Sequence, residues 1–294
     1  MDKLYSPIYV KKIFKKYNFH YKKKLGQNFL IDKNINDKIV EASNINKDDL
    51  VIEIGPGLGN LTQVICQKAK KVISIEIDKD FKEIHDDYLN YDNLEIIYDD
   101  FMNTDLKELI KGYDRKNVKV VANLPYYITT PIIMKLLEEK YPISKIVVMI
   151  QKEVAERFAS SPGSKDYGAV TLAINYYTKT TYAFTVPSSV FLPKPKVSSA
   201  VVVFDVLEKP EYKVESEEIL FKVIKGAFAK RRKTFVNSLS STYPEFKKEM
   251  IVDALEEFDF NKAIRGEKLS LENFVEISNY LIKRIDWFIK KFLI

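Results

Sequence analysis

The sequence is poor in the residues that build metal clusters and covalent staples. Of its 294 residues one is a cysteine, Cys66, and two are histidines, His20 and His85. A lone cysteine excludes an intramolecular disulfide framework and any Cys-cluster zinc site, and it points to a reducing, cytoplasmic setting. Cys66 itself falls on the apolar pattern of a helix and reads as a core residue. His20 and His85 lack metal-ligand spacing and read as surface or packing residues, so no metal is expected. No run of about 18 uncharged apolar residues is present, which argues against a membrane span. No apolar stretch follows the N-terminal basic residues, so no signal peptide is expected. With only 9 Gly and 11 Pro the chain is neither collagen-like nor low in complexity.

What remains is ordinary globular material, 46% hydrophobic and 30% charged, long enough for about two domains. The net charge of +6 is unevenly spread: residues 1–33 carry +7, residues 34–206 carry −3 and residues 207–294 carry +2. A basic N-terminal arm suits a polyanion such as nucleic acid. Charge alone suits a solvated lysine-rich leader equally well. The tip of the arm, Met1–Phe14, holds no interpretable motif.

Beyond the arm, Lys33–Ser43 has the period of an amphipathic helix. Short apolar runs then alternate with helical stretches: Leu50–Ile54, Val72–Ile77, Leu94–Tyr98, Val118–Ala122 and Ile146–Ile150. Helices are expected from Asn60 to about Lys70, through Phe81–Leu89, and from near Pro131. That alternation predicts an α/β fold with a mostly parallel sheet covered on both faces. Tyr182–Val186 and Ser199–Val206 come next without a helix between them, predicting an antiparallel edge and seven strands in all. Glu208–Val214, with Pro210, reads as a linker. Helical periodicity continues to the end, with Ile219, Val223, Phe228, Ile251, Leu255 and Phe258 facing inward and Trp287 packed in the last helix. Three segments are therefore expected: an arm (1–33), a sheet domain (34–207) and a small all-helical domain (208–294).

The sharpest local signal is Glu53-Ile-Gly55-Pro-Gly57-Leu-Gly59-Asn60, between the first strand and a helix. Glycines there let the backbone turn tightly and bring amides and a helix N-terminus to a ligand. A dinucleotide dehydrogenase wants Gly or Ala where Asn60 stands. Glycine at every second position after an acid instead resembles the first motif of Rossmann-like, class I S-adenosylmethionine methyltransferases. Glu76, before Ile77 at the end of the second strand, can accept the ribose hydroxyl protons. Asp100, before Phe101 after the third, can accept from the adenine amino group. Each acid alone also reads as an ordinary strand-end surface residue.

The fourth strand runs into Asn123-Leu124-Pro125-Tyr126. The N6 of adenine is a poor nucleophile because its lone pair is delocalised into the ring. An Asn oxygen and the Leu124 carbonyl before proline can accept its two hydrogens and localise that pair. Tyr126 offers an aromatic face to an extruded base. The methyl of such a cofactor is already activated by its positive sulfur, so neither metal nor covalent nucleophile is needed. A cytosine C5-methyltransferase would need a Pro-Cys nucleophile, which is missing.

Taken together, the chain closely resembles the small-subunit (16S) rRNA adenine N6,N6-dimethyltransferase family. The resemblance runs through Lys24-Leu-Gly-Gln-Asn28-Phe-Leu30, Gly55–Gly59, Asn123–Tyr126 with Tyr127–Pro131, and Gln151–Arg157. It continues through Phe191-Leu-Pro-Lys-Pro195-Lys-Val-Ser-Ser199, Phe228-Ala-Lys-Arg-Arg-Lys-Thr234 and Arg265–Ser270. It implies four methyl transfers to two adjacent adenosines in the loop of the last helix of 16S rRNA. It implies cofactor contacts at Asn28, Leu30, Gly55, Glu76, Asp100 and Asn123, with Glu53, Gly57, Gly59, Ile77 and Phe101 around them. It further implies that Phe191 sandwiches the target base against Tyr126 and that the partner is 16S rRNA, naked or in the immature 30S subunit; a monomer is expected. Lys230, Arg231, Arg232 and Lys233 read as phosphate contacts or as the solvated face of the first C-terminal helix. Two other functions share these features in part. One is antibiotic-resistance methylation of adenine in 23S rRNA; the other is a non-catalytic RNA-binding assembly factor, whose expected loss of Glu76, Asp100 or the Asn123 loop is not seen.

Overall fold

A computed structural model describes residues 2–292, without the side chains of 2, 3, 23 and 285–292. Trp287 therefore lies outside the described side chains. The strands are β1 (Phe29–Leu30), β2 (Leu50–Ile54), β3 (Lys71–Ile75), β4 (Leu94–Ile97), β5 (Val118–Asn123), β6 (Lys145–Gln151), β7 (Thr178–Val186), β8 (Phe191–Leu192) and β9 (Ser199–Val206). The helices are α1 (Pro7–Lys16), α2 (Lys33–Ala42), α3 (Asn60–Lys68), α4 (Lys82–Tyr88), α5 (Leu106–Leu109), α6 (Thr129–Glu138), α7 (Lys152–Phe158), α8 (Ala169–Tyr177), α9 (Glu217–Ala229), α10 (Phe235–Thr242), α11 (Lys248–Glu257) and α12 (Leu271–Phe292). Among the described residues no helix is long and apolar enough to cross a membrane.

Seven strands form one sheet in the order β4-β3-β2-β5-β6-β9-β7. The first five are parallel, and β9 runs antiparallel to β6. Every residue of β2 is buried, which is why its sequence reads as an unbroken apolar run with one acid, Glu53. Register aligns the strand ends. Ile54 lies opposite both Ile75 and Ala122, so Gly55, Glu76 and Asn123 leave β2, β3 and β5 at the same sheet edge. That edge, at the carboxyl ends of parallel strands, is where an open α/β sheet binds ligands. The expected antiparallel pair is present in part: β9 lies between β6 and β7, leaving β7 on the outside.

The chain divides into two compact units: residues up to Ala155 with Lys179–Glu208, and Glu156–Thr178 with the chain from Lys209 onward. The division departs from the expected linear one in two places. First, Glu156–Thr178 belongs with the helical unit, because Tyr176 and Tyr177 pack on Phe221 of α9 (ring centroids 5.4 and 5.9 Å). In the same unit the Tyr167 hydroxyl donates to the Leu269 carbonyl at 3.0 Å.

Second, the N-terminal arm is folded onto the sheet unit. Ser6 caps α1 by accepting from the Tyr9 N–H, and Pro7 presets its first turn. The inner face of α1 buries Val10, Ile13 and Phe14 in a cluster with Phe19, Phe29, Leu58 and Phe81. Phe14 stacks on Phe19 at 4.8 Å and Phe19 packs on Phe81 at 4.6 Å. Part of the arm's charge is paired within the chain: Lys16 pairs with Asp87, and Lys22 pairs with Asp78 and Asp80. Lys11, Lys12 and Lys15 remain exposed on the outer face of α1. A wholly solvated leader is thereby excluded.

Replacing Phe14 with alanine is expected to lower unfolding free energy by about 3 kcal/mol, the usual cost of emptying a buried aromatic site. Lys11→Ala should change it by less than about 0.5 kcal/mol. Urea unfolding measures both, and equal midpoints would refute the packed arm.

Candidate active site

The cleft at the carboxyl edge of the sheet has a volume of about 890 Å³ including its mouth. Its wall brings together Asn28, Leu30, Glu53, Gly55, Gly57, Glu76, Ile77, Asn123, Leu124, Pro125, Tyr126 and Phe191. These residues come from five strand ends and the arm, and the sequence motifs had singled out every one of them. Gly59, Asp100 and Phe101 are not in that wall. Gly59 instead caps α3, Phe101 is buried, and Asp100 lies three residues past the end of β4, accepting from the Met102 N–H at 2.9 Å. Tyr127, on the cleft wall, senses Asp100: burial first and then that charge raise its phenol pKa.

The loop after β2 needs its glycines. Gly55 has φ +71°, and the space a Cβ would take there is open. Gly57 has φ +55°, which favours glycine, and a Cβ would sit 3.2 Å from the Phe29 ring, which would have to give by a few tenths of an ångström. The Gly57 N–H donates to Glu76 Oε2 at 3.0 Å, and the Asp78 N–H donates to Glu76 Oε1 at 2.9 Å. Asp78 in turn accepts from Lys22 Nζ and from Gln27 Nε2 at 2.6 Å, tying the arm to the exit of β3.

His85 is the functional residue that sequence reasoning undervalued. It is a packing residue as expected, stacked on Phe81 with the rings 10° apart, and it also holds the loop. Its Nε2 lies 2.6 Å from the Gly57 carbonyl and its Nδ1 lies 2.8 Å from the Tyr98 hydroxyl. A carbonyl only accepts, so Nε2 carries the hydrogen and Nδ1 accepts from Tyr98. Burial holds the imidazole below its ordinary pKa and keeps it neutral in that role. No local sequence signal separates such a histidine from any other helical one.

Two buried acids lie under the loop. Glu53 Oε2 accepts from Thr62 and Ser74, each at 2.7 Å, yet burial pushes its pKa up to about 7. Burial pushes Glu76 up to about 7 as well, against the pull of the Asp78 and Gly57 amides. Asn123 ends β5, and its Nδ2 donates to the Asn28 carbonyl at 3.3 Å. That contact turns the amide nitrogen to the arm and leaves Oδ1 as an acceptor. The Tyr126 hydroxyl bonds Ser199 at 2.8 Å. Phe191 and Leu30 are register partners in the two-stranded β1–β8 ribbon, so one ribbon carries a residue of each half of the cleft. Phe191 is largely buried there, its ring forming cleft wall.

The basic run Lys230–Lys233 is exposed, but it does not lie on a helix face. α9 ends at Ala229, and the four residues form the turn into α10. Lys230 Nζ donates to Ser241 and Arg231 donates to the Lys165 carbonyl, both at 2.8 Å. The expectation of a solvated helix face is thus corrected: Lys230 leaves helical geometry with φ −130° and ψ 75°.

Comparison with known proteins places this geometry. A family model described as "Ribosomal RNA adenine dimethylase" matches residues 18–283. The chain is 47% identical over 286 residues to the ribosomal RNA small subunit methyltransferase A of Alkaliphilus metalliredigens, covering 97% of this chain and 100% of the relative. It is 48% identical over 285 residues to the protein of that name from Bacillus pumilus, covering 95% and 98%. Among solved structures, a dimethyladenosine transferase from Plasmodium falciparum is similar with TM-score 0.70 and 30% identity, over 84% of this chain and 94% of that one. The 23S rRNA methyltransferase ErmE shares the fold, with TM-score 0.67 and 23% identity over 86% and 99%.

The raised acid at Glu53 has a direct consequence for stability. A carboxyl whose folded pKa is near 7 favours the folded state fully below its unfolded value of about 4.5 and loses that contribution as pH rises through 7. Glu53→Gln keeps an acceptor for Thr62 and Ser74 without the charge. Its melting temperature should therefore exceed that of the parent by a margin that widens from pH 5.5 to pH 8; a margin independent of pH would overturn the buried-acid reading.

Proposed function

The chain belongs to the ribosomal RNA adenine dimethylase family, and on that premise we propose how its cleft dimethylates adenine N6 in 16S rRNA with S-adenosylmethionine. One observation carries the reading. Asn123 is turned so that its oxygen, not its nitrogen, can accept from a substrate, at the strand end between the glycine loop and Tyr126.

The residues present fit this cofactor. Open space where Gly55 lacks a Cβ admits a ligand against the loop, and Glu76 can exchange its Gly57 amide for ribose hydroxyls. Ile77, 47% exposed on the cleft wall, gives an apolar contact for the purine face. Asp100, outside the cleft wall but near enough to Tyr127 to raise its pKa, is assigned the adenine amino group with Phe101 beside it, while Asn28 and Leu30 on the wall are assigned the methionine end. Glu53, Gly57 and Gly59 hold the loop in shape. When bound, the cofactor supplies a methyl group already activated by a sulfonium.

The chain's own residues do the rest. Asn123 Oδ1 and the Leu124 carbonyl accept the two N6 hydrogens of the target base and localise the nitrogen lone pair. Pro125 holds that carbonyl's peptide without a competing N–H. Tyr126 and Phe191 stack the extruded base, an interaction worth about 1–3 kcal/mol that tolerates a once-methylated product. As the new N–C bond forms, the methyl's bond to the sulfonium sulfur would break, its electron pair leaving with the neutral thioether, and N6 would shed a proton to water. Repetition yields dimethyladenosine, and two adjacent adenosines account for four transfers.

Substrate choice favours the small subunit, since the relatives sharing nearly half their residues carry small-subunit names and the large-subunit enzyme shares only the fold. Lys230, Arg231, Arg232 and Lys233 are assigned to rRNA phosphates. The remaining parts of the reading are an immature 30S substrate, a monomeric enzyme acting in the cytoplasm, and chemistry without a metal.

Asn123→Ala should cut methyl transfer at least about 100-fold while rRNA affinity holds; near-normal turnover would remove Asn123 from the chemistry. Converting Arg231 and Arg232 together to alanine should flatten the plot of log affinity against log salt by about 1.5 to 2, one released counterion per lost phosphate contact. Labelled cofactor should mark immature 30S particles and leave 50S particles unmarked, and label confined to 50S would refute the small-subunit assignment.

A further inference from the structure

Buried amides without partners are rare in folded proteins, and each unmet group is destabilising. Among the described residues four buried side-chain atoms have no partner. Three of them belong to Asn36 and Asn60, and both residues line the cleft. Asn36, in the first half of α2, is fully buried, and neither its Oδ1 nor its Nδ2 is bonded. Asn60, the first residue of α3, has a fixed orientation. Its Nδ2 donates to the Leu4 carbonyl at 3.1 Å and to the Leu30 carbonyl at 2.6 Å. A flipped amide would set oxygen against two carbonyls, so Oδ1 must face elsewhere, and it meets no donor.

Sheet order says which part of a ligand reaches these groups. Glu76 comes directly after β3, the glycine loop after β2, and Asn123 ends β5 on the other side of β2. A nucleoside held at Glu76 by its ribose and presenting its reactive group toward Asn123 must cross the β2 loop, where α3 begins. We propose that Asn36 and Asn60 form a polar seat for the amino-acid end of the cofactor. The ammonium is matched by the two free oxygens, and the carboxylate is matched by Asn36 Nδ2 at the N-terminal end of α3. The seat rests on the proposed cofactor and adds Asn36, which no motif marks, and Asn60, which the glycine motif marks only as a departure from the dehydrogenase pattern.

The test compares two probes that differ only at this end: S-adenosylhomocysteine, and 5′-methylthioadenosine, which lacks the amino-acid portion. Calorimetry is run on the full chain and on Asn36→Leu, which preserves volume and removes both polar atoms; Asn36→Ser takes its place if the leucine variant does not fold. The expected result is at least about a tenfold loss of S-adenosylhomocysteine affinity with methylthioadenosine affinity unchanged. The unliganded variant should melt no lower than the parent, because unpartnered polar atoms are gone. Equal weakening of both probes, or of neither, overturns the seat. Failure of the parent chain to bind either probe overturns the cofactor reading itself, and the seat with it.

Discussion

The hydrogen bond from the Gly57 N–H to Glu76 joins two strand exits that the sheet only sets side by side. β2 and β3 deliver their ends to one edge, but parallel strands do not determine how the loops beyond them fold. Glu76 does so by accepting from Gly57 across the strand boundary and from Asp78 on its own chain. Asp78 then holds Lys22 and Gln27 of the arm, and the Gly57 carbonyl is held by His85. One buried carboxylate thus sets the glycine loop, the arm and α4 in mutual register. Its cost is visible in the raised pKa. Main-chain amides bound to it spare it from being a bare buried charge.

A second constraint couples the two halves of the cleft. Leu30 and Phe191 pair in the β1–β8 ribbon, Phe29 pairs with Leu192, and the Ile31 N–H donates to the Val190 carbonyl at 2.9 Å. Asn123 reaches the same segment through the Asn28 carbonyl. A residue read as covering the cofactor and a residue read as stacking the base therefore cannot move independently. Methyl transfer needs donor and acceptor aligned within fractions of an ångström, and a repeated transfer needs that alignment to survive a bulkier acceptor. A shared backbone ribbon ties those two residues to one another.

The legible parts of the fold were those encoded locally. β2, β3, β5 and β6 are buried on both faces, so they read as apolar runs, and their ends were placed to within about two residues. The glycine loop was legible because positive φ favours glycine at Gly55 and Gly57. Sheet order was not: nothing in Ser199–Val206 records that β9 inserts beside β6 rather than outside β7. The arm was read by its lysines and missed by its aromatics. Phe14, Phe19 and Phe29 are scattered in sequence and become a cluster only when Phe81 and Leu58 arrive from the sheet unit. α8 escaped notice because its apolar residues run nearly without interruption and show little helical contrast. Within the cleft, motif residues were legible and supporting ones were not, since His85 and Asn36 depend on what lies above them in space.

Charge sorts the two reactants that such a cleft must receive. The lysines of α1 that remain exposed, Lys11, Lys12 and Lys15, face outward, while Lys16 and Lys22 are spent on aspartates. The interior instead carries Glu53 and Glu76, and both lie in the cleft wall. A cation entering between them gains more than it would in water because the surroundings are weakly polarisable, and its arrival favours ionisation of acids that burial holds near neutrality. A polyanion is attracted to the outer lysines and repelled by those acids once they ionise, whereas a neutral base meets neither force.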